Sequence, residues 1–435
     1  MQSHGEVITV PEKTSAISGF YRLSISERVQ KLREFADLSE EDISLLEAFG
    51  ALDVDTADRM IENVVGTFPF PLGLATNFQI NGKDYLIPMA LEEPSVVAAA
   101  SNAARITRQT GGFSSSATDP VMIGQIQIAD IPDLQAAQKN VEENKENLLK
   151  VANAQDPILV KFGGGARELQ VRKLDTIMGP MLVVHLLVDT RDAMGANAIN
   201  TMCEALAPLV EDLTKGRVYL RILSNLAVYR LARAEAIFPA KDLGGAQGVD
   251  GILKAYAFAQ ADPYRCATHN KGIMNGIDAI LLATGQDFRA VEAGAHTYAA
   301  TREGGYQSLT HYSRTPEGDL HGTIELPLAV GLVGGATKTH PVARLCVKIL
   351  GVKTANELAE IIACVGLAQN LAALRALSQE GIQAGHMKLH SRNVAIAAGA
   401  VNDEVDQVAQ QMSKEKRVRF DRAQEILADL RKNKP

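Results

Sequence analysis

Residues 262–278 read DPYRCATHNKGIMNGID, and this stretch decides how the chain around it is arranged. Upstream, residues 252–259 place apolar side chains at helical spacing, and downstream residues 280–282 form an unbroken apolar run. The polar and cationic side chains of the stretch therefore lie between two segments that we expect to be buried. The pattern predicts a helix over residues 265–282 that belongs to the core and carries one polar face.

Lys271 and Asn275 define that polar face, because residues four apart lie on one side of a helix. Gly272 and Gly276 lack a Cβ, so a second backbone or a ligand can approach closely there. A lysine near apolar neighbours loses hydration and its pKa falls unless a carboxylate keeps it charged; Asp287 is a candidate for that carboxylate. The alternative is a capped helix whose lysine simply faces solvent, since lysine is seldom fully buried.

The composition is that of a soluble globular protein. A length of 435 residues allows two or three domains, and 46% hydrophobic and 22% charged residues are ordinary values. A net charge of −7 and a pI near 5.8 give no basic surface for nucleic acid. We therefore expect no nucleic-acid partner.

The cysteines and the N-terminal residues predict a cytoplasmic protein. Cys203, Cys266, Cys346 and Cys364 show no CxxC spacing, so we expect neither a zinc site nor a disulfide framework. The first residues lack a basic region followed by an apolar one, and no run approaches the ~18 apolar residues of a membrane span. The sequence predicts reduced thiols and no membrane contact.

The first 116 residues predict helices and one hairpin. Capping-box and apolar spacing predict helices at 24–35, 52–65 and 95–110. Asn81-Gly82 between two short apolar runs predicts a hairpin, because this dipeptide accepts the positive φ values of a two-residue turn. Residues 111–116, rich in glycine and serine, are interpreted as a hinge into a different unit.

The unit after the hinge has elements in the order βαββαβ. They are a strand at 121–128, a helix at 134–154, strands at 168–173 and 181–189, a helix at 193–213 and a strand at 218–223. This order indicates the split, ferredoxin-like arrangement, in which two helices cover one face of an antiparallel sheet. Such a unit could stand as an inserted domain.

Two acids precede the helix at 95–110. Glu92 and Glu93 come just before Pro94, which we expect near the first helical position. Both acids could simply complement the helix dipole, an effect of about 0.3–1 kcal/mol each. Alternatively, one faces a cleft and acts as a proton donor, which requires burial that raises its pKa.

The turn at residues 192–197, which reads DAMGAN, joins a strand to a long helix inside the βαββαβ unit. Gly195 permits close approach of a ligand, and the free N–H groups of a helix start attract phosphate. The chain has no GxGxxG and no GxxxxGK[ST], so neither a Rossmann site nor a P-loop is supported. Asp156 could accept hydrogen bonds from a ribose hydroxyl, although many such turns and acids bind nothing.

The remainder of the chain is mainly helical. The patterns predict helices at 248–260, 265–282, 288–301 and 418–432, and a hairpin of 306–313 with 320–326. His386 and His390 lie four residues apart, but no HExxH occurs and no metal site is predicted. The alternatives for His386 are a surface residue and a histidine acid on a moving segment.

Several of these motifs together resemble one enzyme family. They are EEPS at 92–95, DAMGAN at 192–197, THNKGIMNG at 268–276, GQD at 285–287 and GHMKLH at 385–390. In this order they resemble the soluble class II form of 3-hydroxy-3-methylglutaryl-CoA (HMG-CoA) reductase, from about Gly19 to the C-terminus. Such a resemblance implies an α+β fold with a large, mainly helical substrate-binding domain, an inserted ferredoxin-like dinucleotide-binding domain and a helical C-terminal flap.

The implied domain boundaries are 1–112 and 225–380 for the large domain, 113–224 for the insert and 381–435 for the flap. The implied reaction interconverts HMG-CoA with mevalonate plus CoA, through hemithioacetal and mevaldehyde, using two equivalents of NADH or NADPH and no metal. It belongs to mevalonate synthesis or degradation, and the sequence does not choose the direction. A homodimer or an assembly of dimers is implied as well.

The resemblance also implies the catalytic residues Glu93, Lys271, Asp287 and His386. Lys271 would stabilise the oxyanion, an effect of about 3 kcal/mol for one well-placed donor. Glu93 would move the carbonyl proton while Asp287 holds Lys271 charged. His386 would protonate the departing CoA thiolate, carried on a flap that begins near Gly381.

Binding residues follow from the same resemblance. The implied substrate contacts are Arg265, Ser95, Asn225, Thr268, Asn275 and, for a CoA phosphate, Arg22; the implied cofactor contacts are Asp156, Asp192, Met194, Gly195 and Asn197. Arg265 would meet the substrate carboxylate through two parallel hydrogen bonds. Asp156 favours NAD(H), with NADP(H) as the alternative. Two rival functions are a thioester hydrolase using Lys271 and His386, and a CoA-binding protein without turnover.

Overall fold

The computed structural model describes residues 13–48, 52–379, 391–415 and 417–432. Its strands are β1 (Leu72–Ile80), β2 (Lys83–Ala90), β3 (Ser114–Ala117), β4 (Val121–Ala129), β5 (Gly165–Thr176), β6 (Gly179–Asp189), β7 (Arg217–Ser224), β8 (Leu231–Phe238), β9 (Thr310–Arg314) and β10 (Leu320–Pro327). They form a hairpin, β1-β2, and two four-stranded sheets, β3-β8-β10-β9 and β5-β6-β4-β7. The molecule is an α+β protein, as expected.

Helices make up most of the described chain. They are α1 (Ile25–Ala36), α2 (Glu40–Glu47), α3 (Val54–Met60), α4 (Val96–Thr107), α5 (Leu134–Glu143), α6 (Lys145–Ala154), α7 (Pro157–Lys161), α8 (Ala196–Thr214), α9 (Gly245–Ala261), α10 (Pro263–Ala283), α11 (Phe288–Ala300), α12 (Gly335–Thr339), α13 (Pro341–Leu350), α14 (Ala355–Gln379), α15 (Asp403–Lys414) and α16 (Phe420–Lys432).

Local sequence signals set the N-terminal elements. Ser24 forms the predicted capping box of α1, since its hydroxyl accepts from Glu27 N and the Glu27 carboxylate accepts from Ser24 N. In the β1-β2 turn, Asn81 and Gly82 take φ values of 49° and 78°. The predicted helix at 52–65 is wrong in length: α3 ends at Met60 and the next residue is extended.

The start of α4 also differs from the prediction. Pro94 lies outside the helix, because Ser95 is the N-cap with a φ of 77° and the helix begins at Val96. Residues 114–116 do not form a hinge but belong to β3, which pairs with β8. The burial of β8 alternates strictly along Leu231–Phe238, a strand that the sequence reading did not include.

The βαββαβ unit has the expected topology. Its sheet order β5-β6-β4-β7 is antiparallel throughout, which is the ferredoxin-like order. The predicted helix at 134–154 is divided into α5 and α6, and together with α8 these helices pack on one face of the sheet. The unit has its own apolar core, which includes Met122, Ile126 and Val184.

The main core surrounds α14, which contacts α4, α9, α10 and the β3-β8-β10-β9 sheet. Contrary to the expectation that no segment approaches a membrane span, α14 is long and apolar enough to be a candidate. However, 67% of its most apolar window is buried inside the molecule. Helix α14 is therefore explained as a core helix.

The C-terminal helices α15 and α16 pack on each other around Val408, Met412 and Ile426. Residues 380–390, where the flap was predicted to begin, lie outside the described residues. The division of the chain at residues 112, 224 and 380 stays a prediction.

Candidate active site

An ion pair between Lys271 and Glu93 is the centre of the site. Lys271 Nζ donates to Glu93 Oε2 at 3.0 Å, and Asn275 Nδ2 reaches the same oxygen at 3.3 Å. The lysine side chain is 60% exposed and that of the glutamate 34%, so the pair faces an open surface of the chain. A charged donor, a carboxylate and an amide are thus held together beside space for a ligand.

Two elements bring the pair together. Lys271 and Asn275 lie on one face of α10, which begins where the Asp262 side chain accepts from Tyr264 N. Glu93 lies in the short connection between β2 and α4. Strand β2 packs against α10, which brings this connection to the helix. The predicted helix with one polar face is confirmed by this arrangement.

Ser95 adds an unusual feature beside Glu93. Its φ of 77° is rare for a residue with a Cβ, and such strain costs about 1–3 kcal/mol and often marks a functional site. Its Oγ is buried and has no hydrogen-bond partner within the described residues. A buried hydroxyl without a partner costs free energy, so this oxygen fits a polar group of a bound ligand.

The opposite face of α10 is held rigidly. A Cβ on Gly276 would lie 3.0 Å from Gln369 Cβ and 3.1 Å from Val365 Cγ1, so α10 and α14 are in close contact there. The Asn270 side chain donates to Gln307 O at 2.9 Å and accepts from Leu309 N at 3.1 Å. The polar face therefore rests on a helix fixed by packing and by hydrogen bonds.

Within one chain, Asp287 does not pair with Lys271. Asp287 is the N-cap of α11, where its side chain accepts from Ala290 N at 3.1 Å and pairs with Arg289 at 3.3 Å. In the described ranges, Glu93 is the only ion-pair partner of Lys271. Glu93 is therefore the carboxylate that pairs with the Lys271 ammonium within the chain.

The other residues implied for the substrate are placed unequally. Thr268 is exposed on α10, one turn before Lys271. Arg265 lies near His269: burial, and then the charge of Arg265, lower the pKa of the His269 imidazole to about 3. Asn225 is exposed after β7, and its carbonyl lies against Gly294 of α11. Arg22 is exposed in the N-terminal segment, where its side chain contacts Tyr21.

A second candidate region is the loop that leads into α8, here called the α8 loop (residues 190–195). Gly195 has a φ of 103°, and a Cβ there would lie 2.3 Å from Thr190 Cγ2. Helix α8 has no side-chain cap, so backbone N–H groups at its start are available to an anion. Met194 and Asn197 flank this start, which fits the diphosphate of a dinucleotide.

Asp192 anchors the α8 loop. Its Oδ1 accepts from Ala355 N at 2.8 Å, at the beginning of α14, and its carbonyl accepts from Leu332 N and Val333 N. Val365, which supports α10, lies ten residues along α14, or about 15 Å at 1.5 Å per residue. One helix thus connects the α8 loop with the Lys271 face.

Asp156 is the N-cap of α7, where Oδ1 accepts from Leu159 N at 2.9 Å. The segment that follows α7 is joined to the α8 loop, because Arg191 Nε donates to Gly163 O at 3.0 Å. Asp156 and the α8 loop therefore belong to one side of the βαββαβ unit. His386 lies outside the described residues.

Two groups near the site were missed by the sequence reading. Burial and the Glu292 carboxyl raise the pKa of Asp278 on α10 to about 8; Glu292 in turn contacts His296 Nε2 at 2.7 Å. Arg230 is 3% exposed and binds the α8 loop. The sequence signal for this buried cation is that Arg230 lies within a mainly apolar run, residues 226–232.

Comparison with known proteins agrees with this geometry. The model of the hydroxymethylglutaryl-coenzyme A reductase family matches residues 24–391, so the class is that of α+β oxidoreductases that use a nicotinamide cofactor. The chain belongs to the HMG-CoA reductase family, whose members reduce HMG-CoA to mevalonate.

Individual relatives cover nearly the whole chain. The chain is 59% identical over 418 residues to the HMG-CoA reductase of Archaeoglobus fulgidus, which covers 96% of this chain and 95% of the relative. It is 35% identical to the probable reductase of Borreliella burgdorferi, over 86% and 85% of the two chains. A solved structure of the class II enzyme of Streptococcus pneumoniae, bound to NADPH in open conformations, is similar with a TM-score of 0.80, 44% identity and 94% and 100% coverage.

Proposed function

We propose that the Lys271–Glu93 face is where this chain reduces the HMG-CoA thioester to mevalonate and CoA, through hemithioacetal and mevaldehyde. The observation that carries the proposal is the 3.0 Å contact of Lys271 Nζ with Glu93 Oε2, near the buried Ser95 Oγ, which has no hydrogen-bond partner among the described residues. A bound nicotinamide dinucleotide would supply the hydride. The residues of the chain bind, orient and move protons.

Lys271 and Glu93 have complementary roles in the proposal. The ammonium of Lys271 donates a hydrogen bond to the carbonyl oxygen and stabilises the negative charge that develops there, an effect of about 3 kcal/mol for one donor. Glu93, which already contacts Lys271, supplies or removes the proton of that oxygen. Asn275 keeps the Glu93 carboxylate turned toward the lysine.

Asp287 and His386 complete the proposed catalytic set by resemblance. Asp287 is exposed at the N-cap of α11 and pairs only with Arg289 among the described residues. We therefore assign the Asp287 carboxylate to the Lys271 face of a second copy of the chain, within a homodimer. His386 protonates the departing CoA thiolate.

Substrate groups are assigned to the residues around this face. Arg265 and Thr268 precede Lys271 on α10, and Ser95 follows Glu93, so the substrate carboxylate and hydroxyl have donors on both sides of the pair. Asn225 and Arg22 are assigned to the acyl group and a CoA phosphate on the resemblance alone. Each can be tested by its effect on the KM for HMG-CoA.

We assign the dinucleotide to the α8 loop and the start of α8, with Asp192, Met194, Gly195 and Asn197. The free N–H groups at the helix start suit the diphosphate. Asp156 favours NAD(H), because a carboxylate accepts from a ribose 2′-hydroxyl and repels a 2′-phosphate. The similar Streptococcus pneumoniae enzyme was solved with NADPH, so activity with each nicotinamide in both directions is the test.

The absorbance of reduced nicotinamide tests the function directly. Adding HMG-CoA to the purified protein with NADH or NADPH should consume the reduced cofactor and release CoA. Release of CoA without any change in absorbance would identify a hydrolase. Binding of CoA with neither change would identify a protein without turnover. A cytoplasmic location is proposed with the function.

A further inference from the structure

We propose that Arg230 is a positioning residue for the dinucleotide, because it fixes the shape of the α8 loop and connects that loop to residues 328–333, the segment that follows β10. Arg230 lies immediately before β8, outside the βαββαβ unit that carries the loop. The inference rests on the assignment of the α8 loop to the dinucleotide in the proposed function. It assigns no contact between Arg230 and the ligand.

Arg230 is a buried cation without a direct counter-ion. Its side chain is 3% exposed, and in the part of the chain that the structure describes no carboxylate lies within ion-pair distance. Asp189 and Asp192 act on it only at longer range, since Asp189 pairs with Arg167 and Arg191. A buried charge in this situation needs hydrogen bonds to offset its lost hydration.

Those hydrogen bonds go mainly to the α8 loop. Arg230 Nη1 donates to Thr190 Oγ1 at 3.1 Å, to Ala193 O at 3.0 Å and to Met194 O at 3.3 Å. Because a peptide unit is planar and trans, a Met194 carbonyl turned toward the guanidinium directs the N–H of Gly195 the other way. The arginine thus orients the last peptide before the free N–H groups of α8.

The other contacts of Arg230 are with residues 328–333. Nη2 donates to Val330 O, and the carbonyl of Arg230 accepts from Leu328 N at 3.1 Å. The same segment meets the loop directly, since a Cβ on Gly331 would lie 2.5 Å from Met194 N. The conformation of the loop therefore depends on a residue and a segment that lie outside the βαββαβ unit.

The test compares Arg230→Met and Arg230→Lys with Arg233→Met. Methionine keeps the unbranched stem as far as the position of Nε and loses every donor, whereas lysine keeps the charge but not the planar set of donors. Arg233 is the matched control, because it lies on β8 three residues away and forms a surface ion pair with Glu325. The measurements are NADH and NADPH binding by fluorescence titration, both KM values and the melting temperature.

For Arg230→Met we expect the dinucleotide Kd to rise at least about tenfold, with less than about a twofold change in the KM for HMG-CoA, as expected for a loss confined to one loop. Arg230→Lys should lie between this variant and the wild type, and Arg233→Met should match the wild type. A purely structural role of Arg230 would weaken the binding of the dinucleotide and of HMG-CoA equally. Equal weakening, or unchanged dinucleotide binding in Arg230→Met, would overturn the inference.

A second variant keeps the test decisive if Arg230→Met does not fold. Thr190→Val preserves the shape of the side chain and removes one acceptor of Arg230, together with the hydrogen bonds that the same hydroxyl donates to Ala193 O and Pro120 O. We expect a smaller increase in dinucleotide Kd than for Arg230→Met, with the KM for HMG-CoA unchanged. A wild-type protein that does not bind NADH or NADPH would refute the proposed function, whereas wild-type binding with normal affinity in Thr190→Val and Arg230→Lys refutes this inference alone.

Discussion

Lys271 and Glu93 form an ion pair in which both side chains retain contact with solvent, at 60% and 34% exposure. Exposed pairs of this kind contribute about 0–1 kcal/mol to stability, whereas a donor aimed at a developing oxyanion lowers a barrier by about 3 kcal/mol. The pair is therefore explained better by chemistry than by folding.

Lys271→Ala should lower kcat by about 10²-fold or more and change the free energy of unfolding by less than about 1 kcal/mol. Chemical denaturation and the NAD(P)H-coupled assay give the two quantities. Lys254→Ala, an exposed lysine on the neighbouring α9, is the control and should retain full activity. Near-normal turnover in Lys271→Ala would contradict the role assigned to this residue.

His386→Gln should impair the thioester half-reaction more than the reduction of mevaldehyde, because an aldehyde releases no thiolate that must be protonated. The two half-reactions can be assayed separately with HMG-CoA and with mevaldehyde. Equal losses in both would argue against the assignment of His386, which is based on the resemblance of residues 385–390 alone.

Helices α10 and α11 are joined by a carboxyl pair in addition to their apolar contacts. Asp278 on α10 meets Glu292 on α11, Glu292 contacts His296, and His296 Nδ1 contacts the Tyr306 hydroxyl at 2.7 Å. Burial and then Glu292 raise the pKa of Asp278 to about 8, while His296 lowers that of Glu292. Asp278 is therefore the carboxyl of the pair that keeps its proton to the higher pH.

Asp278→Asn should reduce the pH dependence of stability. The raised pKa means that the folded protein holds a proton that the unfolded chain releases above pH 3.8, so this contribution is complete below that pH and is lost as pH rises to about 8. Asparagine does not titrate, so we expect a higher melting temperature than the wild type at pH 8.5 and a smaller difference at pH 5. Asp212→Asn, at an exposed position, should follow the wild-type curve.

Local signals were sufficient for most elements, and long-range pairing explains the failures. Capping at Ser24 and the Asn81-Gly82 turn act within a few residues, so the sequence predicts them. Strand β8 has alanine at its inward positions, a weak strand former, and it pairs with β3 and β10, which are distant in sequence. Helix α3 is shorter than predicted because periodicity alone does not fix where a helix stops.

The candidate site shows the same contrast between local signals, which the sequence reveals, and long-range contacts, which it does not. Spacing predicts that Lys271 and Asn275 share a face, but Glu93 is 178 residues from Lys271 and only the family resemblance linked them beforehand. The acceptors of Arg230 are largely backbone carbonyls, which have no sequence signature. Pairing of Lys271 with Asp287 was expected from the motif, and the folded chain instead uses Asp287 as a helix cap.

At the scale of the whole molecule, the two candidate regions are connected through α14. Its first residue binds Asp192 of the α8 loop, and its middle supports α10. About 15 Å of helix separates these two contacts. Asp287, in contrast, needs a second copy of the chain in the proposed arrangement.

Mixing two inactive variants tests whether Asp287 acts on the partner subunit. Lys271→Ala and Asp287→Ala, refolded or coexpressed together, should recover about a quarter of wild-type activity, because half of the dimers are mixed and each has one intact site. If Asp287 acts within its own chain, each site keeps one defect and no activity returns. Size-exclusion chromatography with light scattering establishes the dimer, and purification through two different affinity tags, one on each variant, establishes that mixed dimers form.

The close contact at Gly276 limits how this family can vary in sequence. A methyl group at that position would require α14 to yield by a few tenths of an ångström, and α14 also holds Asp192. The nearest atom is the Cβ of Gln369, which every residue except glycine carries, so a smaller side chain at Val365 relieves only part of the contact. Homologues in which residue 276 is not glycine should therefore be rare.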